Sequence, residues 1–235
     1  MTPAPELLLE RLTRAYGRQH WWPARTRFEV LVGAVLVQNT AWSNVERAIA
    51  VLRRRDLLAP GVLDACPEAD LAAAIRPAGT FRVKARRLKA LCRWFLEHGG
   101  FAGLERMAPE PLRRSLLEVH GVGRETADAI LVYALGQPRF VVDAYARRLF
   151  ARLGLISASR GYEEIRRGVE ARPWRQPLHD LGELHALIVE HGKRTCRPRP
   201  HCRQCCLRDL CPWGAGDTAF SAATVRRPGR KTPGR

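Results

Sequence analysis

No apolar run in this chain of 235 residues is long enough to cross a membrane. The longest, Val30–Val37, falls far short of the ~20 residues a spanning helix needs and reads as a buried core helix. Met1–Glu10 lacks a basic start followed by an unbroken apolar stretch, so no secretory signal is expected and a cytoplasmic, nucleoid-associated location is. No convincing strand ladder competes with helix anywhere along the chain. Acidic residues are the minority: 23 Asp plus Glu stand against 40 Lys plus Arg, a formal net charge of +17. A polyanion is therefore the expected partner, although charge alone would also suit a ribosomal or membrane-surface protein. Disorder is excluded, because 46% hydrophobic content is enough to bury one large core or two closely packed ones.

What the chain does have is helical pattern. Good helix formers with apolar periodicity recur over Arg27–Gln38, Asn44–Arg54, Glu68–Ile75, Arg82–Glu97, Pro109–Glu118, Glu125–Leu135, Ala144–Leu153, Glu163–Ala171 and Leu178–Lys193. Breaks fall at Pro60-Gly61, Pro77-Ala78-Gly79, His98-Gly99-Gly100, Gly136-Gln137-Pro138 and Arg172-Pro173. Residues 214–235, rich in Gly, Pro, Arg, Thr and Ala, are expected to be a flexible basic tail.

Of seven cysteines, Cys66 and Cys92 stand alone in helical contexts and read as small core residues. The other five cluster, and in a reducing compartment that suggests a metal centre before a disulfide framework. Cys196, Cys202, Cys205 and Cys211 lie within sixteen residues and are followed by Pro212. Four thiolates in so short a loop can enclose either an iron–sulfur cluster or zinc. Cys206 and His201 are alternative ligands.

A second segment, Val119-His120-Gly121-Val122-Gly123-Arg124-Glu125, joins two predicted helices through two glycines. Gly121 and Gly123 let a phosphate approach the backbone, and the next helix presents its N–H groups and positive dipole end to it. Taken alone, an ordinary helix–helix turn would look the same.

Together these segments carry a resemblance. Leu116–Ile130, read with Phe140–Leu149, resembles the helix-hairpin-helix and following Asp segment of the endonuclease III superfamily of DNA glycosylases, and the cysteine loop resembles that family's [4Fe–4S] loop. Its first gap is one residue shorter than the usual pattern. The resemblance spans residues 20–213 and implies an all-α, two-lobed helix-hairpin-helix fold with a C-terminal iron–sulfur cluster loop. It implies a six-helix domain over 28–137, a second domain from 1–27 plus 139–213, and a monomer acting on double-stranded DNA containing damaged bases. Zinc is the alternative to the cluster.

The same resemblance assigns the site. Asp143, eighteen positions after Glu125, would stabilise positive charge on the sugar and orient a water, although an N-terminal helix carboxylate capping its own helix would look identical. Glu125 would help bind a charged base or order water. It also stands where bifunctional family members carry a lysine, and a carboxylate cannot form their Schiff base. Arg124 cannot replace that amine; Lys84, Lys89 and Lys193 remain as distant substitutes. Arg124, Arg197, Arg199 and Arg203 would meet DNA phosphates, and Gln38 would enter the space a flipped nucleotide leaves. His20-Trp21-Trp22-Pro23, Gln38-Asn39-Thr40-Ala41-Trp42 and Gly123-Arg124-Glu125-Thr126-Ala127-Asp128 together resemble the branch related to 3-methyladenine DNA glycosylase III. Trp21, Trp22, Trp42 and Tyr145 would then form a base pocket, unless the tryptophans are packing residues. The expectation is a monofunctional glycosylase for alkylated purines. The alternatives are a bifunctional glycosylase and abasic-site lyase for oxidised pyrimidines, and a non-catalytic DNA-binding protein.

Overall fold

The computed structural model describes residues 5–157, 159–171 and 180–215. Its helices are α1 (Pro5–Tyr16), α2 (Arg27–Leu36), α3 (Trp42–Arg54), α4 (Pro60–Ala65), α5 (Glu68–Ala74), α6 (Phe81–Glu97), α7 (Gly100–Leu104) and α8 (Pro109–Glu118). They continue as α9 (Arg124–Tyr133), α10 (Ala144–Arg152), α11 (Tyr162–Glu170) and α12 (Asp180–Arg194). Among the described residues there is no strand, and no helix is long and apolar enough to cross a membrane.

The chain divides into two compact units, His20–Val141 and the segment up to Gln19 joined with that from Val142 onward. The first contains α2 to α9. At its centre α2 is buried at every position from Phe28 to Leu36. Local chemistry starts that helix: Thr26 Oγ1 accepts the Glu29 N–H at 3.2 Å, and the Glu29 carboxylate accepts the Arg25 N–H at 2.8 Å. The carboxylate is buried, and Arg53 of α3 answers its charge at 2.9 Å. Around α2 pack α3, α6 and α9, with Leu31, Leu36, Leu52, Leu88 and Ile130 fully enclosed. Truncating any one of these leucines to alanine costs about 2–5 kcal/mol. Cys92 is buried in this core, and burial pushes its thiol up to about 12.

In the second unit α1 and α10 both pack on α12. Leu8 and Leu12, one helical turn apart, are the buried stripe of α1.

Each expected helix is present within a few residues, and α1, α4 and α7 are additional. Two of these begin at residues read as breaks. Pro60 opens α4 because the first turn of a helix needs no N–H from it, and α7 follows Gly99 in the left-handed region at φ +73°. The boundary between units falls at residue 20 where 28 was expected, because Trp22 and Ala24 pack against the core around α2. The Arg172-Pro173 break and the tail from residue 216 lie outside the described residues.

Candidate functional site

The turn between α8 and α9 is clamped from below. Arg113 of α8 forks onto Asp128 of α9, Nε to Oδ1 at 2.6 Å and Nη2 to Oδ2 at 3.0 Å, both side chains buried. From the end of α2, Gln38 Nε2 donates to the Gly121 carbonyl at 3.0 Å and to Thr126 Oγ1 at 2.9 Å, while its Oε1 accepts from Arg87 of α6 at 2.5 Å. The side chain expected to fill the space of a flipped nucleotide is thus engaged in bracing the turn. Gly121 has φ +85°, and a Cβ there would lie 2.2 Å from Arg87 Cγ. Gly123 differs: its φ is −92°, and a Cβ would meet nothing within 4 Å. Gly123, Arg124 and Glu125 are exposed where α9 begins, so N–H groups and the positive dipole end face outward.

In the same unit the structure gathers Trp21, Trp22 and Trp42 and adds Tyr133 of α9. Trp22 meets Trp42 and Tyr133 edge to face, each with ring centroids 5.3 Å apart. Trp22 and Trp42 also pack against the core.

Asp143 caps α10 in the other unit. Its Oδ1 accepts the Ala146 N–H at 2.7 Å, and its Oδ2 lies 3.6 Å from Nε2 of His185 on α12. Both readings of Asp143 are therefore compatible with its place, since one oxygen caps the helix and the other is turned to a second helix. Tyr145, in the first turn of α10, packs over Gly192 of α12 with the Arg148 guanidinium 5.1 Å from its ring centre.

Cys196, Cys202, Cys205 and Cys211 line one indentation of about 340 Å³, open mouth included, together with Arg152 and His191. Cys206 and His201 do not line it. Donors aim at the sulfurs: Arg152 Nη1 lies 3.2 Å from Cys196 Sγ, and the Leu207 N–H donates to Cys205 Sγ at 3.4 Å. Burial first, then the neighbouring thiols of Cys206, Cys196 and Cys211, pushes Cys205 up to about 12. Such crowded thiols lose their protons readily only to a cation, so the donor set fits a thiolate-bound metal group. Among the described residues no three His, Cys, Asp or Glu side chains converge on a point that one metal ion could occupy. His191 is wholly buried; its Nδ1 is 2.8 Å from Tyr16 OH, its Nε2 3.7 Å from Cys205 Sγ, and burial, with Arg148, lowers it to about 4. Arg197, Arg199 and Arg203 are exposed on this loop.

The family model for the HhH-GPD superfamily base excision DNA repair protein matches residues 32–174. The chain belongs to the HhH-GPD superfamily. It is 46% identical over 83% of its length to a Methanocaldococcus jannaschii protein assigned as a DNA repair glycosylase, covering 90% of that protein. It is 32% identical over 88% of its length to endonuclease III of Thermotoga maritima, covering 91% of it. A solved non-covalent endonuclease III–DNA complex matches with TM-score 0.76 at 25% identity, over 91% of this chain and 96% of the other.

For this HhH-GPD protein the endonuclease III relatives overturn the expectation of a monofunctional glycosylase for alkylated purines. The physical reason lies in the tryptophans that prompted it. Trp22 is held edge to face between Trp42 and Tyr133 and against the core, so a tryptophan-rich motif here reports packing as well as any stacking surface. Four neighbours escaped the sequence reading: Tyr133, Arg87, His185 and Arg152. Only Tyr133 left a signal, as an aromatic on the helix that follows the glycine turn.

Proposed function

We propose that this chain is an endonuclease III-type DNA glycosylase that removes oxidised pyrimidines from double-stranded DNA. The observation that carries the reading is the anchored Asp143 carboxylate, one oxygen fixed in the α10 cap and the other available beside His185. As the glycosidic bond breaks, positive charge grows on the sugar, and a fixed carboxylate stabilises it without reorganising. The exposed start of α9 after Gly123 supplies N–H groups for a backbone phosphate. The cluster of Trp21, Trp22, Trp42 and Tyr133 offers ring surface beside which an extruded base can stack. Its setting in this proposal is the cytoplasm and nucleoid, where it works as a monomer.

The four cavity-lining cysteines would hold a [4Fe–4S] cluster, which when bound fixes the loop that carries Arg197, Arg199 and Arg203 for phosphate contact. Zinc is the alternative occupant, and metal analysis separates the two.

Strand incision by this reaction type needs an amine, and the chain has only four lysines, Lys84, Lys89, Lys193 and Lys231. Glu125 stands at the hairpin-helix position that the resemblance gives to the lyase lysine. Lys84 is buried with Nζ donating to the carbonyls of Leu36 at 2.8 Å and Ala78 at 2.7 Å, and burial lowers it to about 8. Lys89 donates to the carbonyls of Asp64 and Cys66. Lys193 is exposed on α12 and is the amine that the trapping experiment addresses.

The test is base release from duplexes carrying single oxidised pyrimidines, with alkylated-purine duplexes alongside. Wild type should release the oxidised pyrimidine, and Asp143→Asn should be slower by about 10²- to 10³-fold while still binding DNA. Release confined to alkylated purines, or an Asp143→Asn protein of normal rate, would sink the proposal. Borohydride trapping in the same reactions reports incision, and loss of a trapped adduct in Lys193→Met would identify its amine.

A further inference from the structure

The Asp143 carboxylate is fixed at one oxygen only by its own helix. A hydrogen bond from Ala146 N–H to Oδ1 satisfies the cap, and it leaves the plane of the carboxylate free to turn about its last bond. The second oxygen has a neighbour from far along the chain: His185, 42 positions later on α12, brings Nε2 to 3.6 Å. Its side chain is 6% exposed and that of Asp143 is 12%. The residues on either side of His185, from Leu184 to Val189, are buried, so the backbone that carries the imidazole cannot shift without disturbing the packing of α12. A carboxylate that served only as a helix cap would need no such second partner.

We propose that His185 is a positioning residue for Asp143, its Nε2–H holding Oδ2 so that the carboxylate keeps one orientation while charge develops on the sugar. The inference rests on the reading of Asp143 as the catalytic carboxylate. The 3.6 Å separation is longer than a direct hydrogen bond, as catalytic contacts in free enzymes commonly are before substrate closes the site. His185 acts through Asp143 and touches no reacting atom.

Single-turnover excision and DNA affinity are measured for wild type, His185→Leu, His185→Gln, Asp143→Asn and the double variant His185→Leu/Asp143→Asn. His185→Leu should slow excision about 10- to 100-fold, the cost of a misplaced reacting group, with DNA affinity unchanged. His185→Gln, whose amide nitrogen reaches the place of Nε2, should recover most of the rate. In the double variant the histidine change should add nothing to the loss already caused at Asp143. A normal rate in His185→Leu, or losses that multiply in the double variant, overturns the inference. If Asp143→Asn itself excises normally, the catalytic reading fails instead. Should His185→Leu not fold, His185→Gln is compared with the shorter His185→Asn. Equal rates for these two overturn the inference, and a slower His185→Asn supports it.

Discussion

The turn between α8 and α9 and the cysteine loop after α12 both present arginines to solvent, yet they are held by opposite means. The turn is short and bounded by two helices that are locked to each other by the buried Arg113–Asp128 fork, with Gln38 bracing the Gly121 carbonyl. The loop has little regular structure, only the 3₁₀ turns Cys202–Gln204 and Arg208–Leu210. It hangs on side chains from α10. Arg148 donates to the Cys196 carbonyl at 2.7 Å, and Arg152 donates to the carbonyls of Arg197 at 2.7 Å and Pro198 at 3.0 Å. The difference teaches that a turn between packed helices inherits order from them, whereas a long irregular loop has to be stapled from outside against its own conformational entropy.

Metal removal should break this comparison most sharply. After chelation or oxidative loss of the proposed metal group, backbone amides of residues 196–215 should lose protection from hydrogen exchange, while those of α8 and α9 keep theirs. Equal loss in both regions would mean that the loop's order does not depend on the metal separately.

Next in size is the fork under the turn. Asp128→Ala leaves the Arg113 guanidinium buried without its carboxylate and should cost about 3–5 kcal/mol in denaturant unfolding. Replacing both residues by apolar ones of similar volume should restore most of that loss. If the single change costs under about 1 kcal/mol, the clamp is no more than a surface pair.

The two glycines of the turn give the smallest and finest test. Gly121→Ala forces a side chain into the left-handed region and toward Arg87, so it should cost about 1–2 kcal/mol of stability. Gly123→Ala should leave stability within about 0.5 kcal/mol, since its backbone is ordinary and the space beside it is open. Its effect should appear in DNA affinity, equally for damaged and undamaged duplexes, because a backbone phosphate carries no lesion information. Unchanged affinity in Gly123→Ala would remove the phosphate from that space.

Much of the molecule was legible beforehand because the signals are local. Apolar spacing marked every long helix except α1, and Thr26 with Glu29 opens α2 through bonds that span only a few residues. The substrate was less legible. The motifs that hold Trp21, Trp22 and Trp42 suggested a pocket for a charged purine, but stacking surface accepts any base face and serves equally well as packing.

By itself the sequence determined an all-helical chain, a glycine turn leading into a helix, an Asp at the start of the next and four cysteines in one loop. These follow from periodicity, turn chemistry and spacing, which act over a few residues. Only the tertiary structure decided that Gln38 braces the turn, that the Lys84 amine is buried on two carbonyls, that Cys206 lies off the cysteine-lined cavity and that His185 faces Asp143. Those pairings join positions tens of residues apart, and they are set by how helices pack, which no local pattern encodes.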